Sequence, residues 1–246
     1  MKYRCVAVSP EGLVQQVATS YLRHGYWFYV TGCAKADVDL EALDQKLIEK
    51  YGIALGERER TARKRRGLAN MQYIRYRNWF LLIATEGHHP FKQVERKVIQ
   101  DCRRIPIKFE GYSISYRQSG VTPEGGGPRT WHSSARMDDV TYKQLKGFFL
   151  DRACHRSVDN LSKDFGRVPY ARYAKIRRQL LDILRDVNEA RARMGYEAVP
   201  HQALRLRRKI VKPFEVLEPE SETNELSDGG RSRYARQQLA GVGVKG

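Results

Sequence analysis

The sequence predicts an α+β protein, in which an antiparallel sheet domain is followed by a basic helical domain. In the first half of the chain, short runs of aromatic and β-branched residues alternate with runs whose apolar residues recur every three or four positions. From Asp138 onward the helical spacing dominates. These two observations place a sheet domain at residues 1–137, a helical domain at 138–217 and a flexible tail at 218–246, where apolar residues are scarce.

The first predicted elements are a short strand, a helix and a second strand. Residues 3–8 alternate weakly, as a short strand does, and Ser9 followed by Pro10 is a typical helix start. The run of aromatic and β-branched residues at 26–30 predicts a central strand. The helix between them is expected to reach about His24, because Gly25 can end it and because its apolar residues share one face: Leu13, Val14, Val17, Tyr21 and Leu22.

A second helix is the clearest in the chain. Asp37 or Asp39 can cap it, Gly52 can end it, and its apolar residues form one stripe: Leu40, Leu43, Leu47, Ile48 and Tyr51. The segment from Glu57 to Arg66 that follows is basic on every side and has little apolar material to anchor it. We expect this segment to become ordered only on binding.

The remaining elements of the first half are mostly strands. Two strand-like runs, 70–76 and 79–85, are separated by two residues, which predicts a tight hairpin. A short helix over 92–100 and a strand over 106–117, bent at Gly111, follow. The glycine-rich residues 120–128 predict a flexible connection, and residues 129–137 one more strand.

Once the N-terminal helix is set aside, this order is that of the ferredoxin-like (split βαβ) sheet domain. Such a sheet carries helices on one face, and its other face is open to single-stranded nucleic acid, as in RNA-recognition modules. In the helical domain, a long amphipathic helix is expected after Pro169, because apolar residues recur at helical spacing from Tyr173 to Val187.

The charge of the chain predicts its partner. The chain has 45 Lys and Arg against 28 Asp and Glu, which gives a formal charge of +17. Such an excess repels itself in a compact chain, so it favours a polyanionic partner, and we expect RNA or DNA. The hydrophobic content of 41% is that of a folded protein rather than of a disordered basic tail. No cofactor is expected.

The predicted nucleic-acid-binding residues are basic side chains and tyrosines that strands or helices bring to the surface. The tyrosines are expected to stack on bases, and the Arg and Lys residues to contact phosphates. The first group belongs to the basic segment and the sheet: Arg63, Lys64, Arg65, Arg66, Tyr73, Arg75, Arg77, Arg103, Arg104, Lys108, Tyr112, Tyr116 and Arg117. The second belongs to the helical domain: Lys175, Arg178, Arg207 and Arg208.

Two features predict a cytoplasmic protein without a membrane partner. The longest apolar run, at residues 79–84, is far shorter than the roughly 20 residues that cross a bilayer, and charged residues interrupt the N-terminus. The four cysteines include no CxxC pair, so we expect reduced thiols and no metal site.

A histidine pair suggests an alternative, catalytic function. His88 and His89 follow a strand, and Tyr173 marks the later helix. This set resembles the HUH-like rolling-circle replication initiators and related transposases, in which two histidines on a strand hold a metal and a helical tyrosine is the nucleophile. The resemblance implies a metal-dependent single-strand nuclease or strand-transferase of a mobile element. In those enzymes an apolar residue separates the histidines, whereas adjacent histidines on a strand point to opposite faces.

Two further alternatives remain open. The size, basicity and sheet order are similar to those of the RNA-processing endonucleases of CRISPR systems, which implies metal-independent cleavage with a histidine base. A structural subunit of a ribonucleoprotein complex would carry the same charge without any catalysis. Other enzyme classes lack support, because the sequence contains no GxxxxGKS/T, GxGxxG, HExxH or GxSxG motif.

Overall fold

A computed structural model describes residues 3–118, 127 and 129–214, and every structural statement below refers to these residues. They contain helices and two antiparallel sheets, so the predicted α+β class is confirmed. The predicted tail at 218–246 lies outside the described residues, as does most of the predicted connection at 120–128.

The first helical run begins and ends where the sequence predicts. Helix α1 (Pro10–Gln15) is capped by Ser9, whose Oγ accepts a hydrogen bond of 3.0 Å from the Gly12 backbone amide. The run continues as a π-helical segment (Gln16–Tyr21) and a 3-10 segment (Leu22–His24). It ends at Gly25, whose φ of 91° is readily adopted by glycine.

The first sheet has four strands in the order β2-β3-β1-β4, and each neighbouring pair is antiparallel. The β2–β3 hairpin turns through Arg77, which adopts a φ of 53° without the expected glycine. In chain order the elements are β1 (Tyr26–Cys33), α2 (Leu40–Lys50), α3 (Glu57–Arg65), β2 (Met71–Tyr76), β3 (Trp79–Thr85), α4 (Pro90–Val94) and β4 (Gln100–Asp101).

Both faces of the two strands β2 and β3 are buried. Tyr73 and Leu82 belong to one core cluster together with Ile48 of α2 and Phe91 of α4. Their neighbours on the opposite face belong to a second cluster, which also contains apolar residues of the N-terminal helical run. The expectation that one face of the sheet is open is therefore wrong at these two strands. The N-terminal helical run covers that face and is part of the core.

A second sheet of three antiparallel strands follows, in the order β5-β6-β7. Its strands are β5 (Ile107–Phe109), β6 (Tyr112–Gln118) and β7 (Trp131–Met137). The single bent strand predicted over 106–117 is thus a hairpin. Glu110 and Gly111 have φ values of 44° and 75°, and two successive positive φ values reverse the chain rather than bend it.

The later helices are α5 (Asp139–Arg152), α6 (Val158–Gly166) and α7 (Ala174–Arg193), followed by a 3-10 turn (His201–Leu204). The chain then runs back to α1, where the Gln15 side chain exchanges hydrogen bonds with the Val211 backbone. One core cluster contains residues of both sheets and of helices α5 to α7. The predicted domain boundary at 137/138 runs through this cluster and stays a prediction.

Two expectations drawn from composition concern the cysteines and the membrane. The four cysteines form no disulfide bond within the described part of the chain, but only Cys5 and Cys102 are buried and Cys33 is exposed. Burial raises the pKa of the Cys102 thiol to about 12, so this thiol is protonated at neutral pH. Within the described ranges, no helix combines the length and the apolar character that crossing a membrane requires.

Candidate nucleic-acid interface

Tyr73 and Arg75, two of the predicted contact residues, point into the core. Tyr73 is 0% exposed and Arg75 is 6% exposed. Both bind the buried carboxylate of Asp44 on α2, through a 2.6 Å hydrogen bond from the Tyr73 hydroxyl and bonds of 2.7 and 2.8 Å from the Arg75 guanidinium. Neither side chain is available to a base or a phosphate in this conformation.

Tyr112 is likewise an interior residue. It is 1% exposed, its hydroxyl accepts a 2.9 Å hydrogen bond from the Ala171 backbone amide, and its ring packs edge-on against Tyr170 at 5.0 Å. Its function in the fold is to join the second sheet to the segment that leads into α7. Tyr73, Arg75 and Tyr112 therefore do not belong to the candidate interface.

Tyr116, in contrast, belongs to a stack of three rings that we call the aromatic row: Trp27, Tyr116 and Trp131. Tyr116 lies between the two tryptophans, with centroid distances of 5.6 Å to Trp27 and 5.7 Å to Trp131 and interplanar angles of 22° and 15°. Trp27 and Tyr116 are half-buried, whereas Trp131 is 48% exposed. The row thus has one end that is open to solvent.

A β-bulge places Trp27 in the aromatic row. In the pairing of β1 with β3, Tyr26 lies opposite Thr85 and Phe28 lies opposite Ala84, so Trp27 is an extra residue without a partner. A bulge redirects the side chain that it carries. The Trp27 indole is further fixed by its 3.3 Å hydrogen bond to the carbonyl oxygen of Leu22.

Arg103 closes the other end of the aromatic row. Its guanidinium carbon lies 4.3 Å from the centroid of the Trp27 ring, which is a cation–π contact. The guanidinium also binds both oxygens of Asp101, with a shortest distance of 2.7 Å, and Glu86 at 3.2 Å. Burial alone would raise the pKa of Asp101, but the hydrogen bonds from Arg103 outweigh it and lower this pKa. Because Asp101 and Glu86 neutralise Arg103, we assign it to holding the Trp27 ring in place and not to binding a phosphate.

An arginine lies near the open end of the row in the chain. Arg129 stands two residues before Trp131 and is exposed. In the β6–β7 pairing Trp131 lies opposite Gln118, whereas Arg117 lies opposite His132, so the side chains of Arg117 and His132 leave the other face of this sheet. An exposed ring near an exposed cation is the combination that binds single-stranded nucleic acid, through its bases and its phosphates respectively.

The basic segment after α2 is a helix, α3, and not an irregular segment. None of its residues is buried. It is held by three hydrogen bonds: Arg60 donates to the Ile53 carbonyl, Arg63 donates to the Ala69 carbonyl at 2.9 Å, and Asn70 donates to the Arg60 carbonyl at 2.8 Å. Arg63 is therefore partly engaged. The side chains of Lys64, Arg65 and Arg66 are exposed.

The other predicted phosphate contacts lie on several separate elements. Arg208 is half-buried, and its guanidinium lies 4.8 Å from the centroid of the Tyr173 ring. The remaining ones are exposed: Arg77, Arg104, Lys108, Lys175, Arg178 and Arg207.

The two histidines have different surroundings. The backbone of His88 pairs with the turn after α3, since its amide donates to the Gly67 carbonyl and its carbonyl accepts from Ala69, while its side chain is exposed. His89 caps α4: its Nδ1 accepts a 3.1 Å hydrogen bond from the Phe91 amide. No group of three His, Cys, Asp or Glu side chains within the described ranges is arranged to hold a metal ion.

We expect His89 to make stability depend on pH. Burial, followed by the positive charge of Arg63, lowers the pKa of His89 below its ordinary 6.5. The unfolded state therefore binds the proton more readily, and the free energy of unfolding falls as pH drops below about 6.5. Protonation of Nδ1 removes the lone pair that accepts the hydrogen bond from the Phe91 amide. Loss of such a helix cap costs about 1 kcal/mol of stability. Urea unfolding at pH 7.5 and pH 5 measures this loss. His89→Asn keeps a capping oxygen, so an equally large loss in this variant contradicts the assignment.

Tyr173, the predicted nucleophile, precedes α7 and does not lie within it. Its ring packs against the main core, and burial raises the pKa of its hydroxyl. A neutral, packed phenol is a weak nucleophile. The geometry of this residue thus serves packing and the contact with Arg208.

Trp27 and Trp131, which form the two ends of the aromatic row, are not among the residues predicted from the sequence. Trp131 carried a signal, since it is the only tryptophan in a polar stretch and its neighbours in the chain are Thr130 and His132. Trp27 carried none, because it stands in an apolar run that is typical of a buried strand and only the bulge brings its ring against Tyr116.

Comparison with known proteins gives no further assignment: no family model matches the chain, and no curated protein aligns with it significantly.

Proposed function

We propose that this chain binds nucleic acid, and that α3 with the turn after it supplies its main phosphate contacts. The observation that carries the proposal is a helix of nine residues, five of them basic, that buries no side chain. Helices in folded proteins normally gain their stability from an apolar face. A helix without one contributes little to the core, and its concentrated charge favours a polyanion.

The distribution of ion pairs supports the same proposal. Among the described residues, five basic side chains lie within 4.0 Å of a carboxylate: Arg75, Arg103, Arg136, Lys146 and Arg185. The exposed basic residues of α3 and its C-terminal turn are not among them: Arg58, Lys64, Arg65 and Arg66. Phosphates can therefore approach these four cations without displacing a carboxylate of the described chain.

We also propose that the first sheet is a ferredoxin-like domain and that α5 to α7 form a basic helical domain. The strand order β2-β3-β1-β4, with helices between β1 and β2 and between β3 and β4, supports the first of these assignments. Because both faces of β2 and β3 are buried, the proposed contacts lie on α3 and the aromatic row instead of across this sheet.

Salt dependence tests the proposed function. We expect the affinity for a labelled 20-nucleotide single strand to fall steeply with salt, because each phosphate contact releases counterions. Replacing Arg58, Lys64, Arg65 and Arg66 together by Gln should reduce the slope of log affinity against log salt by about 3, at 0.7 to 0.9 for each lost contact. Fluorescence anisotropy between 50 and 300 mM salt measures the slope.

A matched variant removes the same charge elsewhere. Lys143, Arg156, Lys163 and Arg193 are exposed residues on or next to the later helices, and their joint replacement by Gln should leave most of the slope intact. Equal slopes for the two variants would remove α3 from the interface. Wild-type protein that binds neither single strands nor duplex in 50 mM salt would overturn the proposed function itself.

A further inference from the structure

The aromatic row ends at a ring that no other described ring covers. Trp131 stacks on Tyr116 through one side, and 48% of its surface is exposed. Single exposed apolar residues are common on proteins and need no explanation. An exposed tryptophan that continues an ordered stack of parallel rings differs, because the stack already fixes the plane in which a further flat group can add.

Contacts within the protein also hold Trp27 and Tyr116 of the row in place. Trp27 is held by its bond to the Leu22 carbonyl and by Arg103, which Asp101 and Glu86 hold in turn. Tyr116 is held through its backbone amide, which donates to the Cys102 carbonyl at 3.4 Å. A stack that is already ordered costs little conformational entropy when a ligand adds to it.

We propose that Trp131 is a stacking site for an unpaired nucleobase, and that it gives this protein its preference for single strands over duplex. This proposal rests on the proposed function. A base in a single strand can leave its neighbours and add to the row as a fourth ring, whereas a base inside a duplex is stacked on both sides. Arg129, an exposed cation two residues before Trp131 in the chain, can bind a phosphate of the same strand.

The experiment compares three labelled ligands of 20 units: oligo-dT, an abasic strand with the same phosphates, and a duplex. Wild-type protein should bind oligo-dT more tightly than the abasic strand. Trp131→Ala should weaken oligo-dT binding about 5-fold to 100-fold, which corresponds to the loss of one stacked base. It should leave the affinities for the abasic strand and the duplex, and the salt slope, within about 2-fold of wild type.

Two further variants separate stacking from folding. Trp131→Phe keeps a flat ring and should retain most of the affinity for oligo-dT. Tyr196→Ala removes another aromatic residue that is 48% exposed and lies near an arginine, at 5.5 Å from Arg191, but belongs to no row. It should bind all three ligands as wild type does. Circular dichroism spectra identical to wild type show that each variant is folded.

The outcomes distinguish this site from the proposed function. If wild-type protein binds all three ligands with a steep salt dependence but Trp131→Ala binds oligo-dT as wild type does, the base-stacking site is wrong and phosphate binding stands. If Trp131→Ala weakens all three ligands equally, Trp131 supports the fold and not a base, which also overturns the site. If wild-type protein binds none of them, the proposed function fails first.

Discussion

Replacing Asp44 by Ala should destabilise the protein by about 3–5 kcal/mol, which is the cost of leaving a buried guanidinium without its counter-ion. Asp44 and Arg75 are both about 6% exposed, and Asp44 binds Arg75 twice and the Tyr73 hydroxyl once. No other carboxylate in the described chain lies within 4.0 Å of Arg75. Chemical denaturation of the variant should therefore show a lower midpoint with an unchanged m-value.

A double-mutant cycle identifies the source of this loss. Arg75→Met alone leaves the Asp44 carboxylate buried and is also expected to be destabilising. Combining the two changes removes both charges, so the double variant should be clearly more stable than the sum of the single losses implies.

Glu41 provides the surface control. It is an exposed residue of the same helix as Asp44, and Glu41→Ala should change the free energy of unfolding by less than about 0.5 kcal/mol. A similar small loss for Asp44→Ala would show that the pair is not isolated from water.

Replacing Arg191 by Ala should be the second large effect, a loss of about 3 kcal/mol. Arg191 is 4% exposed on α7, and its guanidinium donates to three backbone carbonyls, those of Ala153, Arg156 and Glu197. Two of these carbonyls lie just beyond the end of α5, where helices leave carbonyl groups without partners. Each lost bond to a charged donor costs at least about 1 kcal/mol.

Arg185 provides the control on the same helix. It contacts three carboxylates, Asp182, Asp186 and Glu189, but its side chain is 63% exposed, so solvent screens these pairs. We expect Arg185→Ala to lower the free energy of unfolding by less than about 1 kcal/mol. Urea unfolding of both variants, Arg191→Ala and Arg185→Ala, measures the two losses. The opposite order of the two losses would mean that ion pairing, rather than burial, decides the energetics of arginine in α7.

Much of the local structure could be predicted from the sequence because its causes are local. Ser9 with Pro10 begins the first helical run, Gly25 ends it, and Asp39 caps α2 through its side chain, as the residues themselves require. The hairpin of β2 and β3 follows from the two-residue spacing between two apolar runs. Net charge is a sum over residues and needs no structure at all.

The candidate site was harder to predict, because the exposure of an aromatic side chain depends on distant partners. Tyr73 and Tyr116 look alike in the sequence, as tyrosines in strand-like runs that also contain arginine. Tyr73 is buried because Asp44, 29 positions away, binds its hydroxyl. Tyr116 takes its place in the aromatic row because a bulge in β1 turns Trp27 toward it.

By itself, then, the sequence determined the positions of most helices and strands, their caps and the excess of positive charge, since all of these arise from residues near one another in the chain or from composition. Only the tertiary structure decided that β2 and β3 are covered on both faces, that α3 is a helix without a buried residue, and that three rings from β1, β6 and β7 stack in one row. The physical reason is that burial and stacking are properties of pairs of surfaces. Which surfaces meet is settled by the packing of the whole chain and not by the spacing within any one segment.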